Sequence, residues 1–387
     1  MTAAWHFRTQ QPGEDVHNPL GGEHFNQGIS SDSDWEAGES LVRESIQNSL
    51  DAGRPDEAVH VRFHVSAPKA MSVQVAQHWF GELWPHLRAK QCQLRSDPAP
   101  AAGGFLVIED FGTRGLKGDY TQWNMPRDSE ENDFFNFFRA EGLSGKGAGR
   151  GGSWGVGKSV FGRCSRINCF LAATLRHDDG EAFVLGKTLL RHHYIGNTEF
   201  RAIGHFGISD QNHESLILPS RDESVRARLQ RDFALQRAIG ADTDRESAGL
   251  SVVIPYADLA LTAVSLLSTV VREYFEPILR GQLTVGISGP GLPRGVASVR
   301  LNAENILEHA RSICKPEVVR LLRLAEWAEA NKHANMIELR GSTAEVAPRW
   351  EDSLFPSETP EFRAVCERYV RGDPVGIRVP LRVCPGG

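Results

Sequence analysis

The chain has 387 residues, 40% of them apolar and 24% charged, and a formal net charge of −6. That size suits two or three domains of ordinary globular composition, and the acidic balance gives no bulk attraction to nucleic acid or to an anionic membrane. No apolar run reaches the roughly 20 residues of a membrane-spanning helix, and the opening MTAAWHFRTQQPGED lacks the basic-then-apolar order of a secretory leader, so the expectation is a cytoplasmic protein with no membrane partner.

In chain order, residues 1–38 are polar and glycine-rich and read as an arm or cap. Over 39–52 the apolar positions recur at helical spacing and stop at Gly53-Arg54-Pro55, a glycine and proline that end a helix. AVHVRFHVS at 58–66 alternates as a strand does, and a helical segment at 77–92 follows. After the linker SDPAPAAGG, FLVIED at 105–110 is a buried strand that ends on an acid. NDFFNFFRAEG places Phe134, Phe135, Phe137 and Phe138 on the apolar face of a short helix, and the glycine-dense GLSGKGAGRGGSWGVG comes next.

INCFLAATLR and AFVLGKTLL flank HDDGE, a good hairpin turn. SRDESVRARLQRDFALQR mixes arginines with acids and reads as a solvated helix rather than a nucleic-acid patch. AGLSVVIPY at 248–256 is a further strand, and a domain boundary is expected after 257. Beyond it come a helix to 279, the strands GQLTVGI and VASVRLN, and a charged amphipathic helix over 316–331. ANMIELRG, a helix at 361–370 and PVGIRVPLRV follow. The closing CPGG follows a strand-like run abruptly, as in a piece of something longer. The six cysteines show no C-x-x-C pair and no zinc spacing, which suits reduced thiols.

From Gly152 to Ser159 the chain satisfies G-x-x-x-x-G-K-[ST], the P-loop pattern. A P-loop follows a buried strand that aims it, yet the preceding RAEGLSGKGAGRG offers no strand face. A glycine-rich lid leading into a helix near Lys158 holds polyphosphate by other means, because helix N-termini carry unpaired N–H groups.

In LVRESIQNSLDAG, Glu44, Asn48 and Asp51 fall at i, i+4 and i+7 on one helical face, with Val42, Ile46 and Leu50 roughly opposite. Read blandly this is a solvated face. Read chemically, a glutamate can deprotonate water and an asparagine oxygen can ligate Mg²⁺. In LVIEDFGTRGL a strand delivers Asp110 to its end, where a carboxylate can accept a hydrogen bond from an exocyclic amine. Gly112 and Gly115 there let a flat ring lie against backbone. Lys146, Gly152, Gly155, Gly157 and Lys158 populate the glycine-rich stretch, and Gly249 and Ser251 open the late strand.

In that order these segments resemble the four ATP-binding motifs of the gyrase, heat-shock chaperone, histidine kinase and mismatch-repair superfamily (GHKL). ESIQNSLDA is similar to its E-x-x-x-N-x-x-D-A box, DFGTRG to D-x-G-x-G, GSWGVGKS to G-x-x-G-x-G, and GLSVVIP to its G-T strand. The resemblance implies an α+β two-layer sandwich of Bergerat type, a mixed sheet covered by helices on one face, over 39–257. Its lid would span about 112–157, and a transducer-like α/β domain would occupy 258–387. It implies that Glu44 activates water, Asn48 holds Mg²⁺, Asp51 supports the pocket and Asp110 binds the adenine amine. Gly112 and Gly115 would shape the base site, while Lys146, Gly152, Gly155, Gly157 and Lys158 cradle phosphates. DFGTRG carries one residue more than the pattern, and Ser251 stands in for the usual threonine.

The function implied is Mg²⁺-dependent ATP hydrolysis driving lid closure and a conformational or dimerisation switch, in a homodimer or larger complex. DNA transactions or bacterial defence are the settings the resemblance suggests. A non-hydrolysing ATP-gated interaction module, a protein kinase and a P-loop NTPase remain the alternatives.

Overall fold

FLVIEDF is apolar on both sides of the strand it forms, so both faces of that strand need cover. The computed structural model describes residues 2–13, 37–92, 94, 101–124, 132–139, 159–211, 213, 216–237, 247–293, 295–332, 336–340 and 352–378. The strands are β1 (Ala4–Thr9), β2 (Val59–Val65), β3 (Phe105–Phe111), β4 (Cys169–Leu175), β5 (Ala182–Leu189), β6 (His193–Ile195), β7 (Thr198–Ser209), β8 (Ile217–Leu218), β9 (Gly249–Pro255), β10 (Leu283–Ser288) and β11 (Ser298–Leu301). They form one mixed sheet in the order β1-β7-β5-β4-β9-β3-β2-β10-β11, with β6 and β8 also paired to β7. β3 is central, antiparallel to β2 and β9, while β10 runs parallel to β2.

The described helices are α1 (Ala37–Asp51), α2 (Val73–Phe80), α3 (Trp84–Leu87), α4 (Ser159–Arg163), α5 (Glu223–Phe233), α6 (Ala263–Glu273), α7 (Phe275–Leu279), α8 (Ile306–Ile313), α9 (Pro316–Ala330) and α10 (Pro360–Val370). Leu106 and Ile108 of β3 join Leu41, Val42 and Ile46 of α1 and Leu266, Leu267 and Val270 of α6 in one buried cluster. Phe105 and Val107, which point the other way, join Trp79 and Phe80 of α2, Trp84 of α3 and Phe233 of α5 in a second. Helices therefore cover both faces of this mixed α/β sheet, and the expectation of cover on one face is corrected. Two apolar sides on β3 leave no face for water.

Two further differences have simple causes. Residues 4–9, expected within an irregular arm, form the edge strand β1 on β7, because Trp5 is buried against Phe206 and Trp79. The core also runs through position 257: Leu283, Val285, Ile287 and Leu301 of β10 and β11 belong to the same cluster as α1. A smaller cluster of Ile337, Leu339 and Val365 lies around β12 (Met336–Glu338), α10 and β13 (Gly376–Arg378). The four phenylalanines lie on a short helix of π type over Phe135–Arg139 and its lead-in, with Phe134 and Phe138 fully buried.

Candidate functional site

Helix α1 packs Val42 and Ile46 into the core and turns Glu44 and Asn48 to a partly open flank. Asn48 Nδ2 donates to Glu44 Oε1 at 2.8 Å. A carboxylate has no proton to offer in return, so the amide nitrogen must face it and Asn48 Oδ1 is turned away. That leaves a neutral oxygen available to a hard cation. Asp51, on the same face, is exposed and accepts from Gln47 Nε2 at 3.0 Å.

The end of β3 is fastened to the end of α1 by main chain. Arg54 N donates to Gly112 O and Arg114 N to Ala52 O, both at 3.0 Å, and Gly53 bridges Thr113. Arg114 also reaches back to Asp51 O at 3.0 Å. Gly112 turns the chain at φ +74°, where an added Cβ would meet Ala58 O at 2.7 Å, so both its twist and its closeness require glycine. Gly115 follows in the same loop and abuts the carbonyl of Leu175.

Asp110, 8% exposed, sits at this junction on the α1 side of the sheet. Its Oδ1 accepts from Thr113 Oγ1 at 2.6 Å and from Leu250 N at 2.8 Å. Its Oδ2 accepts from Ser49 Oγ at 3.1 Å. A carboxylate oxygen takes two such bonds, so among the described residues Oδ2 keeps one acceptor direction for a further donor. Ser49 and Thr113 were not anticipated. Their signal was present: Ser49 follows Asn48 on the inward side of α1, and Thr113 lies between the two loop glycines.

Ser251 is corrected. Strand alternation puts it on the opposite face from Asp110, where its hydroxyl donates to Glu109 Oε1 at 3.0 Å. The role expected of it beside Asp110 falls to Thr113 and to the backbone N–H of Leu250. Glu109, fully buried, also pairs with Arg62 at 2.6 Å and accepts from Gln236 N and Arg237 N. Arg237 lies in the stretch expected to be solvated, yet it is wholly buried. The apolar Phe233 and Leu235 carry the chain under the sheet before it.

Lys146, Gly152, Gly155, Gly157 and Lys158 lie outside the described residues, and α4 begins at Ser159, directly after Lys158. Among the described residues no group of three or more His, Cys, Asp or Glu is placed to hold a metal, and no helix is long and apolar enough to cross a membrane. A shallow cavity of about 450 Å³ opens elsewhere, between Trp123 and the side chains of Asp119, Gln122 and Asp210; it includes none of the residues above. No protein-family model matches the chain, and no curated protein matches its sequence.

Proposed function

We propose that the chain binds ATP with Mg²⁺ where α1 meets the end of β3, and hydrolyses it. The fold would then be a Bergerat-type nucleotide site extended by extra strands. The observation that carries this function is the fastening of the Glu44–Asn48 helix to the Asp110–Gly115 loop by Arg54 N, Arg114 N and Ser49 Oγ. A base recognised at one segment thereby lies at a fixed offset from a water activated at the other, and such pre-set geometry is what a hydrolytic site needs.

Asp110 accepts the exocyclic amine of adenine through its remaining Oδ2 direction. Glu44 takes the proton of the attacking water while its hydrogen bond holds the Asn48 amide. Asn48 Oδ1 offers a ligand to Mg²⁺, which when bound offsets charge on the phosphate oxygens. On this reading Gly152, Gly155 and Gly157, with Lys146 and Lys158, all outside the described residues, would cradle the phosphates, and lid closure would switch a dimer or a larger protein complex.

The test is phosphate release by the purified chain beside ATP binding by calorimetry, for the wild type and Glu44→Ala. The expected result is binding retained and release lowered by at least about 100-fold. Unchanged release in the variant would remove Glu44 from the chemistry, and a wild-type chain that binds ATP but releases no phosphate would be one that uses ATP only to gate a partner surface. Wild-type chain that fails to bind ATP would sink both.

A further inference from the structure

We infer that Arg237, on the far side of the sheet from the proposed nucleotide, is the positioning residue that sets Asp110 for base recognition. This rests on the nucleotide reading above. The β3–β9 ladder ends at the pair Glu109↔Ser251. Past it β3 and β9 share no further ladder pair, and the carbonyls of Asp110 and Leu250 accept from Arg237 instead. Its guanidinium donates to the carbonyl of Asp110 and to that of Ser247, to Leu250 O at 3.2 Å, and to Ser251 Oγ at 3.1 Å.

The same side chain stacks over the Phe111 ring at 4.7 Å, and its own N–H holds Glu109 at 3.1 Å. Three consecutive residues, Glu109, Asp110 and Phe111, are thus gripped by one arginine. Its charge lies 3.9 Å from Asp110 Oδ1, and with Arg62 on Glu109 the buried group has two cations and two anions. A planar five-donor fork can bind four acceptors at once, which a lysine cannot.

The delivery of Arg237 is also built in. Helix α5 ends with Ala234 in the left-handed conformation at φ 54°, and Leu235 is buried in the second cluster. The next two backbone N–H groups, of Gln236 and Arg237, land on the Glu109 carboxylate at 2.8 and 3.1 Å. A load-transmitting contact of this kind acts through Asp110 and not on the phosphates, so its loss belongs in base recognition rather than in the chemical step.

The experiment compares ATP with inosine triphosphate, whose 6-oxo group cannot donate to Asp110, in wild type, Asp110→Ala, Arg237→Met and Arg237→Lys. For Arg237→Met the expected outcome is a KM for ATP raised at least about tenfold, kcat within about threefold, and a preference for ATP lowered toward that of Asp110→Ala. Arg237→Lys recovers the fold but only part of the preference. Should Arg237→Met fail to fold, Ser251→Ala removes one of the four contacts and is read the same way, with a smaller loss. A folded Arg237→Met, or Arg237→Lys in its place, with the wild-type preference overturns the proposal. If Asp110→Ala itself leaves the preference untouched, the nucleotide reading fails along with it.

Discussion

Ser49 Oγ stands 3.1 Å from Asp110 Oδ2 and 2.8 Å from the carbonyl of Ser45, so one hydroxyl proton is shared between helix backbone and carboxylate. This side-chain bond joins the first motif helix to the acid of the second. Ser49→Ala removes it without leaving a buried donor unpaired, and the expected cost is about 1 kcal/mol in urea unfolding. ATP affinity should fall a few-fold in the same variant, because Asp110 loses one of its three restraints. An unchanged affinity would show that Thr113 and Leu250 N suffice.

At Gly249 an added Cβ would sit 2.4 Å from both the carbonyl and the Oδ1 of Asp110. The backbone there, φ +142°, is one that side chains rarely adopt. Gly249→Ala should therefore cost at least about 2 kcal/mol in stability and weaken ATP binding by more than Ser49→Ala does. Thermal unfolding and calorimetry on the same samples would separate the two effects.

Burial separates two ion pairs that look alike in sequence. Arg62–Glu109 is buried at both ends, whereas Arg43 of the Arg43–Glu273 pair is half exposed. Glu109→Gln leaves Arg62 and Arg237 short of charge and should cost about 3 kcal/mol or more. Arg43→Ala should cost under about 1 kcal/mol, and 1 M salt should erase most of that. Denaturation at low and high salt checks both.

The chain should be acid-labile. His193 Nδ1 faces the carbonyl of Arg191 and must donate, so its Nε2 accepts from His86 Nδ1 at 2.8 Å. Burial first, and His193 second, push His86 down to about 4. His60, His64, His78, His193 and His205 are also lowered, with burial the leading cause in each. A histidine held neutral in the fold takes up its proton in the unfolded chain first. Stability therefore falls as pH drops from about 6.5 toward 4, with His86 among the contributors. His86→Phe, which keeps the stacking on Phe7, should flatten part of the slope in melting temperature over that range. A slope identical to wild type would rule His86 out as a contributor.

The helix over 37–51, the strand that carries Asp110 and the 169–189 hairpin were legible because each carries a period or turn that local physics dictates. Val42 and Ile46 are buried and Glu44 and Asn48 are turned outward, as the spacing required. The Asp110 restraints were less legible. Ser49 and Thr113 are common surface residues until their partners are known, and Ser251 lies on the wrong face for the task expected of it by one step of strand alternation. Arg237 was hidden by its company. Alternating arginines and acids signal solvent, and only Phe233 and Leu235 mark the place where the chain dives under the sheet. The edge strand β1 was missed because its six residues AWHFRT are too short and mixed to show a period.

The parallel pairing of β10 with β2, six residue pairs from Leu283↔Val59 to Ser288↔His64, has a practical corollary. A fragment cut after Tyr256 would strip β2 of a neighbour and uncover the inner side of α1, presenting a bare strand edge that recruits other chains. Such a truncation should be recovered from expression as insoluble aggregate, whereas a cut after Leu301 spares that edge.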